Sequence, residues 1–191
     1  MKSSHHFSVW DISPNPASHP EAPEAPRHHQ PPRSARRWAR QLRTVERYLY
    51  RGVNAELYAI TGGKLAPKAT GQPFRRAVYF GEEVYFGDGS VYGEAETNAV
   101  LMHQRNSSKY PSSGVSTTPI FENAKKYATH NNQSGYVYKI DTHCLDAAGV
   151  KTYSVDEHAV QPVIPEDQEV ILVAADCGAL PDEIVVEIIN V

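Results

Sequence analysis

Three short stretches of the chain hold residue types that could do chemistry. Leu49-Tyr50-Arg51-Gly52 puts an arginine on a strand-like segment with a glycine after it. A guanidinium is a planar, permanently charged fork suited to a phosphate, and a residue without a side chain lets a ligand reach the backbone. An arginine at a strand end is also an ordinary surface ion-pair partner. Gly114-Val115-Ser116-Thr117-Thr118-Pro119 sets three hydroxyls where a strand runs into a helix. Hydroxyls there commonly cap the helix, and they can equally serve a site. Pro165-Glu166-Asp167-Gln168-Glu169-Val170 crowds three acids at the mouth of an apolar run. Taken alone it is a solvated turn entering a buried strand. If the segment is extended, Asp167 and Glu169 face one side and Glu166 the other.

Holding these stretches together requires strands and helices between them. YLYRGV is a short aromatic strand, and AELYAITGGKLAP a helix ended by Gly62 and Gly63. Residues 77 to 93 mix aromatic strand-like pieces with Gly-Asp-Gly turn signals and resist assignment. ETNAVLMHQRN reads as a helix, KYPSSG as a loop and VSTTP as a strand end. PIFENAKKYATH is a helix with Phe121, Ala124, Tyr127 and Ala128 on one face, Pro119 suiting its start. YVYKID, a short helix or loop THCLDAAG, VKTYSV, EVILVAA and IVVEIINV follow. Short β segments with few helices and no βαβ alternation predict an α+β fold with mixed or antiparallel sheets.

Ahead of this domain, expected over 48–191, residues 1–33 are rich in Pro, His and Ser and read as a disordered tail. Its histidines are better explained as solvated low-complexity sequence than as metal ligands. Over 34–47, Trp38, Leu42 and Val45 lie on one helical stripe continued by Leu49, with arginines mostly elsewhere, which predicts a basic amphipathic helix. It is either docked with solvated arginines or an arm for nucleic acid or a partner.

The chain has 191 residues and a net charge of -3, which excludes coating nucleic acid through bulk charge. Cys144 and Cys177 lack metal-ligand spacing, so neither a zinc site nor a disulfide framework is expected. No apolar run approaches the roughly 18 residues that span a bilayer, and the start of the chain lacks the apolar stretch of a secretory signal. The expectation is a protein made in a cytosol, without membrane insertion, whose export uses no cleaved apolar signal. No GxGxxG is present.

In order and flanking text the three stretches resemble the mono-ADP-ribosyltransferases with an arginine, serine-threonine and paired-acid signature, in particular the group of cholera toxin and heat-labile enterotoxin. The resemblance covers LYRGVNAELYAITGGKLAPKATG, GVSTTPIFENAKKYA, and the stretch from GYVYKI through PEDQEV to GALPDEIVVEI. Residues 72 to 113 resemble the family poorly. It implies two packed sheets with flanking helices around an NAD cleft, NAD as co-substrate and no metal. Glu169 is then the catalytic carboxylate that stabilises positive charge on the ribose as the nicotinamide bond breaks. Arg51 pairs with a dinucleotide phosphate, the Gly52 backbone holds the nicotinamide amide, and Ser116 orients Glu169. Thr117 and Thr118 shape the strand end and line the nucleotide pocket. Arginine-modifying members carry glutamate where Asp167 stands, so Asp167 keeps the acceptor-side charge with one methylene less reach. His103 is expected as a polar helix residue rather than a nucleotide contact. Tyr79, Phe80, Tyr85, Phe86 and Tyr92 are expected mostly to pack in the core or on a sheet face.

The function that follows is a toxin or effector transferring ADP-ribose to a target macromolecule in a cytosol, a protein arginine being favoured as acceptor. An antitoxin or a secretion chaperone would be its partner. The same chemistry on a nucleic-acid base, and a catalytically silent binding module of the same fold, are the competing expectations.

Overall fold

In YLYRGVN, Leu49 and Val53 are buried and alternate with residues that are not apolar core, the period of a strand with one face in a core. This is β1 (Tyr48–Asn54) of a computed structural model that describes residues 46–79, 87–130 and 133–191. The expected tail over 1–33, nearly all of the helix expected over 34–47, and Phe80, Tyr85 and Phe86 lie outside the described residues. Glu46 and Arg47, the end of that expected helix, are loop leading into β1.

The protein is α+β. One antiparallel sheet runs β1, β5 (Gly135–Asp141), β8 (Val185–Asn190). A second runs β4 (Val115–Thr117), β7 (Val170–Ala174), β6 (Val150–Ser154), and β2 (Arg76–Val78) and β3 (Gly93–Ala95) form a two-stranded ribbon. The two expected sheets are present, every pairing between named strands is antiparallel, and the ribbon is additional. The helices are α1 (Ala55–Thr61), α2 (Glu96–Asn106), α3 (Phe121–Ala128) and the short α4 (Val155–His158), the last unforeseen in the sequence.

Strand alternation builds the layers. Leu49, Val53, Tyr138 and Ile140 of the first sheet meet Val115, Val150, Leu172 and Ala174 of the second in one core. The buried Tyr138 hydroxyl donates to the Gly63 carbonyl at 2.8 Å, which removes the cost of an unpaired polar group. On the far side of the second sheet, Ile171, Val173 and Tyr153 pack under Ala99, Val100 and Leu101 of α2. On the far side of the first, Ala124 and Ala128 of α3 cover Val137.

That last contact explains two glycines. A Cβ on Gly52 would stand 1.8 Å from the Ala124 carbonyl oxygen, and one on Gly135 would stand 2.2 Å from that of Ala128. Alanines on the helix and glycines on the strands thus let α3 lie directly on β1 and β5. The approach that Gly52 permits on its side-chain face is therefore that of a helix, where the sequence suggested a ligand.

Termini of α1 follow the sequence signals. Asn54 Oδ1 accepts from the Leu57 N–H at 2.8 Å, and Gly62 takes φ 62°, a left-handed end that suits glycine. In α3 the start falls at Phe121 rather than at Pro119. Of its expected face, Ala124 and Ala128 are buried, whereas Tyr127 is 52% exposed at the edge. The unassignable middle is organised by Asn98, fully buried on α2. Its amide bonds to the carbonyls of Arg76, Val91 and Gly93 and accepts from the Val91 N–H, tying helix to ribbon. Tyr79 and Tyr92 meet edge to face and are exposed beside the ribbon, so of the two expected placements, core or sheet face, the core is excluded for them. Both cysteines are free. Among the described residues no helix is long and apolar enough to cross a membrane.

Candidate active site

Arg51 lies between Leu49 and Val53 on β1 and so shares the face that enters the core. Its guanidinium is half-buried, and Nη1 donates to the Ser116 carbonyl at 3.1 Å. Burial pulls the Arg51 pKa below its ordinary value, and the neighbouring Glu169 works against that shift. The backbone brings these groups together. Tyr50 N–H donates to the Thr118 carbonyl at 2.7 Å and Thr118 N–H to the Tyr50 carbonyl at 3.0 Å, an isolated bridge between the first sheet and the end of β4. Alternate residues of a strand turn their peptide groups to the same edge. The Gly52 N–H and C=O therefore face the edge to which Tyr50 is bridged, and because that bridge is antiparallel they lie on its Ser116 side.

On β4, Val115 and Thr117 face the inter-sheet core while Ser116 faces α2. There His103, 6% exposed, holds Ser116 Oγ at 2.8 Å from Nε2 and Ser112 Oγ at 2.7 Å from Nδ1. Burial, aided by the charges of Arg51 and Lys68, lowers its pKa to about 4, so the imidazole is neutral at pH 7. Ser112 Oγ accepts from the Gly114 N–H at 3.2 Å. Ser116 also hydrogen-bonds Glu169; with its one proton given to that carboxylate it accepts from Nε2–H, which leaves Nδ1 to accept from the Ser112 hydroxyl. The sequence reading set His103 aside. His103 ends a run of consecutive buried residues, Asn98 to His103, so no one-sided stripe in the sequence marked it.

Thr117 donates its hydroxyl to the Val170 carbonyl at 2.6 Å, and Thr118 accepts from the Ile120 N–H at 3.0 Å. The first ties β4 to β7 and the second shapes the turn into α3, while both residues line the cleft.

The acid stretch departs from its expected form. Pro165–Asp167 is a turn of 3-10 helix, Gln168 is left-handed with φ 46° and ψ 47°, and β7 begins only at Val170. Asp167 and Glu169 do not share a strand face, since the expected strand had no allowance for the acids forming a turn of their own. They nevertheless line the same cleft, with the left-handed Gln168 between them. Glu166 is exposed, as expected.

Glu169 is one-fifth exposed and lies 3.9 Å from His103 Nε2, too far for a hydrogen bond. Burial raises its pKa and the negative charge of Asp167 adds to the rise, while Ser116 and Arg51 draw it back. Asp167 accepts from the Tyr127 hydroxyl and, at 3.1 Å, from Asn123 Nδ2. Burial and then the bond to Asp167 push Tyr127 up to about 12, so it stays protonated and donates.

Arg51, Gly52, His103, Ser116, Thr117, Thr118, Asp167 and Glu169 thus surround one cleft of about 290 Å³. A neighbouring pocket of about 420 Å³, bounded by α1, shares Arg51, Gly52 and Tyr127 with it. The arrangement offers a cation where the two spaces meet, a free strand edge, and a carboxylate supported by a serine. In comparisons with known proteins, the NarE family matches residues 48–172, well over half of the chain. The matched span includes 72–113, where the sequence motifs gave little likeness. No curated protein matches the chain.

Proposed function

The chain belongs to the NarE family, an ADP-ribosyltransferase-like family for which NAD is the implied co-substrate, and from that premise we propose that it is an NAD-dependent mono-ADP-ribosyltransferase acting on protein arginine. One observation carries this reading: Arg51, Ser116 and Glu169, far apart in sequence, line one cleft. It also supports kinship with the arginine, serine-threonine and paired-acid type.

Arg51 stands where a dinucleotide spanning both spaces would place its phosphates. The edge of Gly52 offers a donor and an acceptor that match a primary carboxamide, so nicotinamide fits there. Breaking the bond from ribose to nicotinamide builds positive charge on the sugar, and an ionised Glu169 stabilises it. Ser116 and Arg51 favour that ionised form and oppose the rise that burial gives its pKa. Negative charge from Asp167 and Glu169 at one cleft suits a cationic acceptor. The biological setting that fits is a toxin or effector acting in a cytosol, restrained by an antitoxin or escorted by a secretion chaperone.

The test is nicotinamide release from NAD by the purified chain, compared with Glu169→Gln. The variant should lose on the order of 10²-fold in rate or more. An equal rate would remove Glu169 from the chemistry, and a wild type that releases none would leave the silent binding module as the better reading. Labelled NAD in a lysate, digested separately with protease and ribonuclease, then assigns the acceptor. Label that survives protease and is lost with ribonuclease would sink the protein acceptor.

A further inference from the structure

Asp167 has a donor on each of its carboxylate oxygens. Oδ1 accepts from Asn123 and Oδ2 from the Tyr127 hydroxyl. Asn123 and Tyr127 stand four apart on α3, so one face of one helix supplies both donors. The Asn123 amide also donates to the Glu166 carbonyl at 3.1 Å. Three hydrogen bonds from α3 therefore fasten the acid turn. Only the left-handed Gln168 separates the fastened residue from Glu169, so where Asp167 is held decides where Glu169 enters the cleft.

We propose that Asp167 is a positioning residue, a latch that fixes the acid turn to α3 through Asn123 and Tyr127 and thereby sets the reach of Glu169. This rests on reading the cleft as the site of NAD cleavage. A carboxylate with each oxygen tied to a helix has its plane fixed and turned toward that helix. It lends charge to the acceptor side without gripping an acceptor. The latch accounts for aspartate at this place: a glutamate, one methylene longer, would carry its oxygens past both donors. It also links the two halves of the cleft. The helix that holds the acid turn is seated on β1 at Gly52, next to Arg51. One rigid element thus spaces the phosphate-binding cation from the carboxylate.

The latch predicts how four variants of the full chain behave in NAD cleavage and in transfer to a small guanidine such as agmatine. Tyr127→Phe, which keeps the ring and removes the donor, should lower kcat about tenfold with KM for NAD within about twofold, as expected for a misplaced group. Asp167→Asn should lower it similarly, and the double variant should be no worse than Asp167→Asn alone, because both break one latch. Asp167→Asn should also move the acid limb of the kcat/KM profile to lower pH, since the charge that raises the Glu169 pKa is gone; Tyr127→Phe should not. Asp167→Glu should depress both reactions. Transfer raised in Asp167→Glu with NAD cleavage unchanged would put the carboxylate on the acceptor and overturn the latch, as would additive losses in the double variant. Hydrogen exchange at the amides of Asp167 and Gln168 decides the matter without activity. Faster exchange in Tyr127→Phe supports the latch and unchanged exchange refutes it, even if the wild type proves unable to cleave NAD.

Discussion

Gly52→Ala is the sharpest test of how the cleft is built. The new Cβ would stand 1.8 Å from the Ala124 carbonyl oxygen and 2.8 Å from the Ala128 nitrogen, where ordinary contact begins at 3.4 Å. The obstruction is helix backbone, which has no rotamer to yield, so α3 must withdraw by about 1.5 Å or β1 must bend. Overpacking of a filled core costs roughly 1–3 kcal/mol, and two backbone clashes put this change at about 3 kcal/mol. For a domain of this size that lowers Tm by roughly 6–12 °C. The same withdrawal draws Asn123 and Tyr127 away from the acid turn, and a misplacement near 1 Å costs on the order of 10²-fold in rate. Thermal unfolding by circular dichroism and nicotinamide release per folded molecule measure the two effects. Gly135→Ala is the companion: its Cβ meets the Ala128 carbonyl oxygen at 2.2 Å, at the end of α3 away from the cleft. It should destabilise comparably and cost less activity. A Gly52→Ala protein that melts with the wild type and cleaves NAD normally would refute the seating of α3 on β1.

Two further outcomes follow from buried polar groups. His103 has a folded pKa of about 4 against an ordinary 6.5, so between those values the unfolded chain binds more protons and stability falls as the pH falls. The loss approaches about 3 kcal/mol by pH 4 and is absent above about pH 6.5; denaturant titrations at several pH values should show this slope flattened in His103→Gln, the raised pKa of Glu169 acting oppositely in both proteins. Asn98→Ala should cost about 2–3 kcal/mol and loosen the ribbon, read as a lower Tm and faster exchange at Val91, whose N–H it leaves without the side-chain acceptor.

Much of this was legible in the sequence because the signals were local. Gly62 and Gly63 end α1, ETNAVLMHQRN is α2 to the residue, and the period of YLYRGVN gives β1. The three motif stretches could be ordered, and the cleft brings them together. What was not legible depended on distant partners. Nothing within PEDQEV shows that Asn123 and Tyr127 will hold it as a turn, so a strand was the natural expectation and the shared face was argued from the wrong geometry. Gly52 looked like room for a ligand because the helix that fills the space lies some seventy residues on. The stretch from 77 to 93 stayed unassigned because what is described at its two ends is tied by the amide of Asn98, at Arg76, Val91 and Gly93, rather than ordered by apolar periodicity. His103 is the helix residue expected, but its burial and its bonds depend on Ser112 and Ser116, which lie beyond its helix.

The bridge between Tyr50 and Thr118 has a temporal consequence. Its two hydrogen bonds join positions far apart in the chain, and the carboxylate they help to face comes from residue 169, close to the last strands. During synthesis, or after passage through any pore that unfolds the chain, the arginine and the serine wait for β7 before they share a cleft, since β4 pairs with β7. Long-range closure of this kind comes late in folding. A chain that still lacks β7 therefore has no complete cleft, whatever its length up to that point.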